Sequence, residues 1–190
     1  MMFLQFFVWG CWYATAGNYL SKNLGYDGAV IGGIFSTISL AAIIAPLFVG
    51  IIADRFFEAQ RVLAVAHIIG AGILYYISSV NDSDTFYWVL LLYSIFYMPT
   101  LALTNAVSFY QMSSPEKEFP GIRVLGTIGW IVAGLIISFA KFEASSMQFV
   151  VAAIASLVTG LYCFTLPNTC LLYTSPSPRD ATLSRMPSSA

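Results

Sequence analysis

Residues 28–61 read GAVIGGIFSTISLAAIIAPLFVGIIADRFFEAQR. The stretch 28–53 carries no charge, and then Asp54, Arg55, Glu58 and Arg61 follow in quick succession. A helix crosses the hydrocarbon core of a bilayer in about 17–25 residues, so the neutral run is long enough to span and its charged end marks the membrane surface. Outward from this stretch the same pattern recurs. Neutral runs extend up to Asp27 with only Lys22 inside, then over 62–81, 85–115, 124–140 and from 144 to about 166.

The whole chain agrees with its parts. Of 190 residues 58% are apolar and 9% are charged, and the mean hydropathy is +0.79. A water-facing domain carries about a quarter charged residues, so this composition requires lipid around it. Lipid offers backbone groups no partners, which makes each span helical. Six spans follow, at 2–20, 29–53, 62–79, 85–111, 120–140 and 147–166. Short polar connections make neighbouring spans antiparallel, and the expected architecture is an all-α, up-and-down membrane bundle.

Several function classes drop out. The formal charge is −1 with no basic cluster, so there is no electrostatic footprint for nucleic acid. Cys11, Cys163 and Cys170 are scattered and His67 is the single histidine, which predicts neither a disulfide framework nor a metal site. The spans lack clustered nucleophiles and paired carboxylates, so an enzyme is not expected. The chain opens directly in an apolar stretch without a basic leader, and no removable signal peptide is expected. With the N-terminus in the cytoplasm, the inner loops hold Arg55, Arg61 and Lys117 and the outer loops Lys22 and Lys141, a slight positive-inside excess.

Tyr26, Gly28 and Gly33 at the start of the second span recur as Phe119, Gly121 and Gly126 at the start of the fifth. Two copies of a three-helix unit would leave such a trace, and inverted repeats of this kind mark secondary transporters. After Pro167 the composition changes abruptly. The strings CLLYTSPSPRD and SRMPSSA, separated by Ala181, Thr182 and Leu183, resemble a translated sequencing-library adaptor. Residues 170–190 are therefore expected to be a disordered artefact, and 1–169 a truncated six-helix domain.

Candidate residues cluster in the fifth span, FPGIRVLGTIGWIVAG. Arg123, Thr127 and Trp130 are spaced i, i+4, i+7 and share one helical face. Arg123 offers a rigid fork of donors, Thr127 a hydroxyl and Trp130 a flat stacking surface, so the face suits a polar ligand containing a ring. With the helix starting at Pro120, Arg123 lies only about 4.5 Å into it, and an interfacial arginine snorkelling to water is the competing reading. Gly126, Gly129 and Ala133 flank the face and allow a neighbouring helix to pack closely. In the fourth span Pro99 interrupts the backbone ladder, with Thr100, Thr104 and Asn105 nearby to satisfy freed carbonyls or to face a cavity. Gln5, Trp9, Trp12, Ala16 and Tyr19 form a stripe on the first span, read as packing or an aromatic belt more readily than as a cavity wall. His67 in the third span is either a proton relay or, the preferred reading, a histidine bonded between helices.

Two resemblances follow from these stretches. GIIADRFFEAQR resembles the signature between helices two and three of the major facilitator superfamily, usually G-x-L-A-D-R-x-G-R-K. Gly50, Asp54, Arg55 and Arg61 take its conformational roles here, without the second glycine and the paired basic residues. FLQFFVWGCWY, AAIIAPLFVGIIADR, YMPTLALTNAVSFYQ and FPGIRVLGTIGW together resemble the bacterial nucleoside permeases, the nucleoside:proton symporters of that superfamily, over essentially all of 1–169. The resemblance implies the N-terminal six-helix half of a twelve-helix carrier, built from two three-helix inverted repeats, in the bacterial inner membrane. It further implies nucleoside import driven by the proton gradient, by alternating access and without a bound cofactor. The family's substrate-contacting Arg, Thr and aromatic residue map onto Arg123, Thr127 and Trp130, where Trp replaces the more frequent Phe. The remaining partners would be the nucleoside, the proton, the bilayer and a C-terminal half of the same polypeptide. The alternatives are a carrier of sugars or other small metabolites in the same superfamily, and a membrane protein without transport activity.

Overall fold

The computed structural model describes the backbone of residues 1–55 and 58–169 and the side chains of 1–44 and 58–169. Among them are seven α-helices and no strand: α1 Met2–Gly10, α2 Ala16–Lys22, α3 Gly28–Arg55, α4 Ala59–Ile77, α5 Ser83–Gln111, α6 Pro115–Phe139 and α7 Met147–Cys163. Three of these, α4, α5 and α6, are long and apolar enough to cross a membrane, and α7 and the stretch Gly28–Ile44 of α3 are shorter apolar helices. Ile43, Tyr75, Trp88, Val124, Phe139 and Ile154 are among the large apolar side chains left exposed. That surface suits acyl chains and would drive aggregation in water.

Local chemistry sets the helix ends. Asp27 accepts the Val30 N–H at 2.9 Å ahead of α3, and Asp82 caps α5 by accepting the Thr85 N–H at 2.9 Å and the Thr85 hydroxyl at 2.8 Å. These bonds hold the Asp82 carboxyl below its ordinary range. α6 stops at a Schellman turn: Lys141 N–H reaches the Ser138 carbonyl and Phe142 N–H the Ile137 carbonyl, each at 2.9 Å. Lys141 takes the left-handed position at φ 58°, a conformation glycine adopts without steric cost.

Two sequence expectations are corrected here. The first span is not one helix: residues 11–15 form turns between α1 and α2, and Thr15 within them donates to Gln148 Oε1 of α7 at 2.6 Å. The fifth span starts at Pro115 and not at Pro120, which lies inside α6. Ser114 is its N-cap, Pro115 stands at the first helical positions, and Glu116 and Glu118 place negative charge against the positive helix end. Glu118 Oε1 also accepts the Ser114 N–H at 2.8 Å.

The helices pair chiefly as α4 with α7, α1 with α6, α3 with α5, α4 with α5 and α1 with α7. Trp12, Tyr93, Phe86 and Phe149 are fully buried at the centre. Trp12 meets Tyr93 edge-on at 5.8 Å between centroids and Phe86 meets Phe149 likewise at 5.8 Å, the offset geometry that ring quadrupoles favour. The stripe Gln5, Trp12, Ala16 and Tyr19 is thus core, with Trp9 half-buried beside it. A second cluster, Ala59, Leu63, Ala64, Leu103, Val107 and Cys163, closes the end where α4 begins and α5 and α7 finish. Thr169 is tied to that end. Its N–H donates to Gln60 Oε1 at 2.9 Å, and its carbonyl accepts the Ala59 N–H at 3.0 Å.

Candidate substrate site

The earlier start of α6 lengthens the helix ahead of Arg123. Eight residues of helix precede it, which places it about 12 Å from the helix start instead of about 4.5 Å. Among the described residues every other charged side chain lies in a loop or within the terminal turns of a helix. The first turn of α6 is itself charged, with Glu116, Lys117 and Glu118, so Arg123 stands five residues, about 7.5 Å, into the apolar part of the helix. A charge there is costly unless it faces a polar pathway, a partner or water at the membrane surface. The described ion pair, Arg61 with Glu58 at 2.9 Å, lies at the start of α4, and Arg123 has no acidic partner among the described residues.

Arg123, Thr127, Trp130 and Phe6 line one cavity of about 200 Å³. The three residues expected from the i, i+4, i+7 spacing are therefore brought together. Phe6 was not foreseen. Arg123 and Thr127 are exposed and Trp130 is half-buried, so the cavity opens away from the bundle formed by this chain. Ligand pockets usually enclose about 300–1,000 Å³, and this smaller recess has the size of part of such a pocket.

The recess is held rigidly. Gly126, Gly129 and Ala133 are buried on the side of α6 facing α1. A Cβ at Gly129 would strike the backbone carbonyl of Phe3, and one at Gly126 would lie 2.7 Å from Phe6 Cδ2. Small residues thus let the two helices approach backbone to side chain. Trp9 and Tyr13 approach Trp130 edge-on, with centroids at 5.4 and 5.8 Å, and fix the plane of its ring. The Arg123 guanidinium carbon stands 4.9 Å from the centroid of the Phe6 ring. Among the described residues neither Arg123 nor Thr127 spends a side-chain hydrogen bond on the protein, which leaves their polar groups available to a ligand.

Behind α1 lies a buried polar network. Gln5 Nε2 donates to Thr100 Oγ1 at 2.7 Å, and Gln5 Oε1 accepts from Thr104 Oγ1 at 3.2 Å and pairs with His67 Nε2 at 2.8 Å. His67 Nδ1 pairs with Ser156 Oγ at 3.2 Å, and the Tyr97 hydroxyl donates to the Gln5 carbonyl at 2.7 Å. His67 is thereby bonded between helices, and Thr100 also returns a bond to the Tyr97 carbonyl at 2.6 Å beside Pro99. Asn105 Oδ1 is buried and without a hydrogen-bond partner among the described residues. Of the loop residues singled out by sequence, Gly50, Asp54 and Arg55 are described by their backbone alone, and residues 170–190 lie outside the described residues. Arg61 is exposed at the start of α4.

A bundle of apolar helices with an arginine, a threonine and a tryptophan on the wall of one open recess defines a membrane protein with a candidate site for a polar ligand. Comparison with known proteins gives the particular family. The model of the nucleoside H+ symporter family matches residues 1–184, and the chain belongs to that family. It is similar to the xanthosine permease of Escherichia coli K12, 43% identical over 172 residues, covering 88% of this chain and 41% of the relative. It is also similar to the nucleoside permease NupG of the same organism, 39% identical over 172 residues with the same coverage. A crystal structure of nucleoside transporter NupG superposes with a TM-score of 0.86 at 35% identity, covering 97% of this chain and 49% of that one. A mutant of the same transporter gives a TM-score of 0.89 at 37% identity over 96% of this chain and 46% of its own. The chain spans about two fifths of the length of the curated relatives it matches. These relatives are permeases and transporters, not enzymes.

Proposed function

We propose that this chain is the N-terminal half of a carrier that imports nucleosides together with protons by alternating access, and that Arg123, Thr127 and Trp130 contact the nucleoside. The carrying observation is the shared cavity of these three residues on a face of α6 that the bundle leaves open. An arginine fork, a hydroxyl and an indole face match the sugar hydroxyls and heteroaromatic base of a neutral nucleoside. A C-terminal half of the same polypeptide supplies the facing wall, in keeping with relatives more than twice the matched length. The bilayer surrounds both halves, the N-terminus is cytoplasmic, and the driving force is the proton gradient with no bound cofactor or metal. One proton moved across 100 mV contributes about 2.3 kcal/mol.

We read the fold as six spans, α1 and α2 together forming the first, arranged as two inverted three-helix repeats. The pairing pattern supports this. Exchange of the first three spans with the last three turns α1·α6 into α5·α3 and α4·α5 into α7·α1, and leaves α4·α7 unchanged; all of these pairs occur. The glycines of the sequence repeat carry less weight, since a Cβ at Gly126 would meet Phe6 whereas one at Gly33 would meet nothing. We read 1–169 as the domain and 170–190 as added sequence; Thr169 is buried and bonded to α4, while the family match itself runs on to residue 184. Gly50, Asp54, Arg55 and Arg61 serve the conformational change at the loop between α3 and α4.

Uptake of labelled uridine and adenosine by cells expressing the full-length protein tests the proposal. Accumulation that a protonophore stops, and that Arg123→Ala largely abolishes, is expected. Uptake indifferent to Arg123→Ala would show that the substrate site lies elsewhere.

A further inference from the structure

We infer that Phe6 is a positioning residue for Arg123: its ring carries the guanidinium in place of a carboxylate, so that the arginine is held in place with its donors free for the ligand. This rests on the proposed role of Arg123 as a nucleoside contact.

An arginine inside an apolar helix faces a cavity or pairs with an acid or with backbone carbonyls. A carboxylate would bind the guanidinium edge and occupy two of its five N–H donors. Arg123 instead lies 4.9 Å from the Phe6 centroid and has no acidic partner among the described residues. An aromatic face attracts the cation through its quadrupole and leaves the in-plane N–H groups unspent. The cation is thus immobilised without being consumed as a donor.

Phe6 can do this because it is itself fixed. Its ring rests in the notch left by Gly126. The adjacent Gln5 is clamped through its carbonyl by Tyr97 and through its side chain by Thr100, Thr104 and His67. Residues 5 and 6 lie about 100° apart around α1, so one anchors the helix in the bundle while the other meets α6. A support ring on a pinned helix sets an arginine more narrowly than a mobile loop would.

A filler of the α1–α6 seam would need only volume, whereas a support for a cation needs a ring. Equilibrium binding of uridine to the purified full-length protein separates the two. Phe6→Leu is expected to weaken binding about fivefold, the scale of a partly exposed cation–π contact, while Phe6→Tyr stays within about twofold of the parent. In an Arg123→Gln background, adding Phe6→Leu should change the Kd less than about twofold. Phe6→Met, also without a ring, provides a second test if Phe6→Leu does not fold. If Phe6→Leu and Phe6→Met bind like the parent while Arg123→Gln binds weakly, the inference is overturned and the substrate site stands. An equal loss from Phe6→Leu with and without Arg123 also overturns it. If Arg123→Gln itself leaves the Kd unchanged, both the site and the inference fail.

Discussion

Gly129→Ala probes the seam on which the site is built. The added Cβ would strike the Phe3 carbonyl oxygen and lie 3.0 Å from the Phe3 carbonyl carbon and 3.2 Å from its Cα. Carbon pairs pack best at about 3.5–4.0 Å, and these are backbone atoms that no rotamer change can remove, so α1 and α6 must part by roughly half an ångström or more. Overpacking of this kind costs about 1–3 kcal/mol. For a domain of this size that is a fall in Tm of about 2–12 °C. Gly134→Ala, further along the same helix with nothing within 4 Å of the new methyl, is the control and should leave Tm nearly unchanged. Thermal unfolding of the detergent-solubilised protein followed by tryptophan fluorescence gives both values. The same parting would draw Phe6 from beneath Arg123, so nucleoside affinity should fall with Tm. Equal stability of Gly129→Ala and Gly134→Ala would refute the close approach of the two helices.

Other perturbations act through different physics. Gln5→Leu leaves the His67 ring and the Thr104 hydroxyl without their shared acceptor, and should destabilise the protein by about 1–3 kcal/mol in the same thermal assay. Lys141→Gly relieves the left-handed strain at the end of α6 and should raise Tm, with a stabilisation of about 1 kcal/mol. The depressed Asp82 carboxyl contributes stability that is complete above its unfolded pKa of about 3.9 and is lost as pH falls through the lower folded value. Asp82→Asn should therefore flatten the acid dependence of amide exchange at Thr85. Arg61→Ala removes only an exposed ion pair, so stability should stay within about 1 kcal/mol; as a residue of the proposed conformational loop, its loss should slow transport without altering the Kd.

The apolar runs, read against the distribution of charge, located the helices because few residues other than those at helix ends are charged. The i, i+4, i+7 spacing likewise gathered Arg123, Thr127 and Trp130, since only one face of a helix can carry that set. The start of α6 was legible too, in Ser114, Pro115, Glu116 and Glu118, but weighting hydropathy over capping chemistry placed it at Pro120. The interruption at 11–15 has no comparable signal: apolar and aromatic residues continue across it, and the turn is tied down by Thr15 bonding to Gln148, far away in sequence. Phe6 was hidden for a related reason. In a helix such as α1, where almost every residue is apolar, periodicity does not distinguish the face that meets the core from the one that meets α6.

The central claim is that the Arg123 face of α6 lines a solute pathway and not a lipid boundary. Thr127→Cys tests it most directly, because the exposed position lies beside Arg123 whereas Cys11 and Cys163 are buried. Modification by a charged, membrane-impermeant thiol reagent, slowed by added nucleoside, is the result the account requires. A thiol at 127 that reacts only with lipid-soluble reagents, at a rate nucleoside leaves untouched, would contradict it.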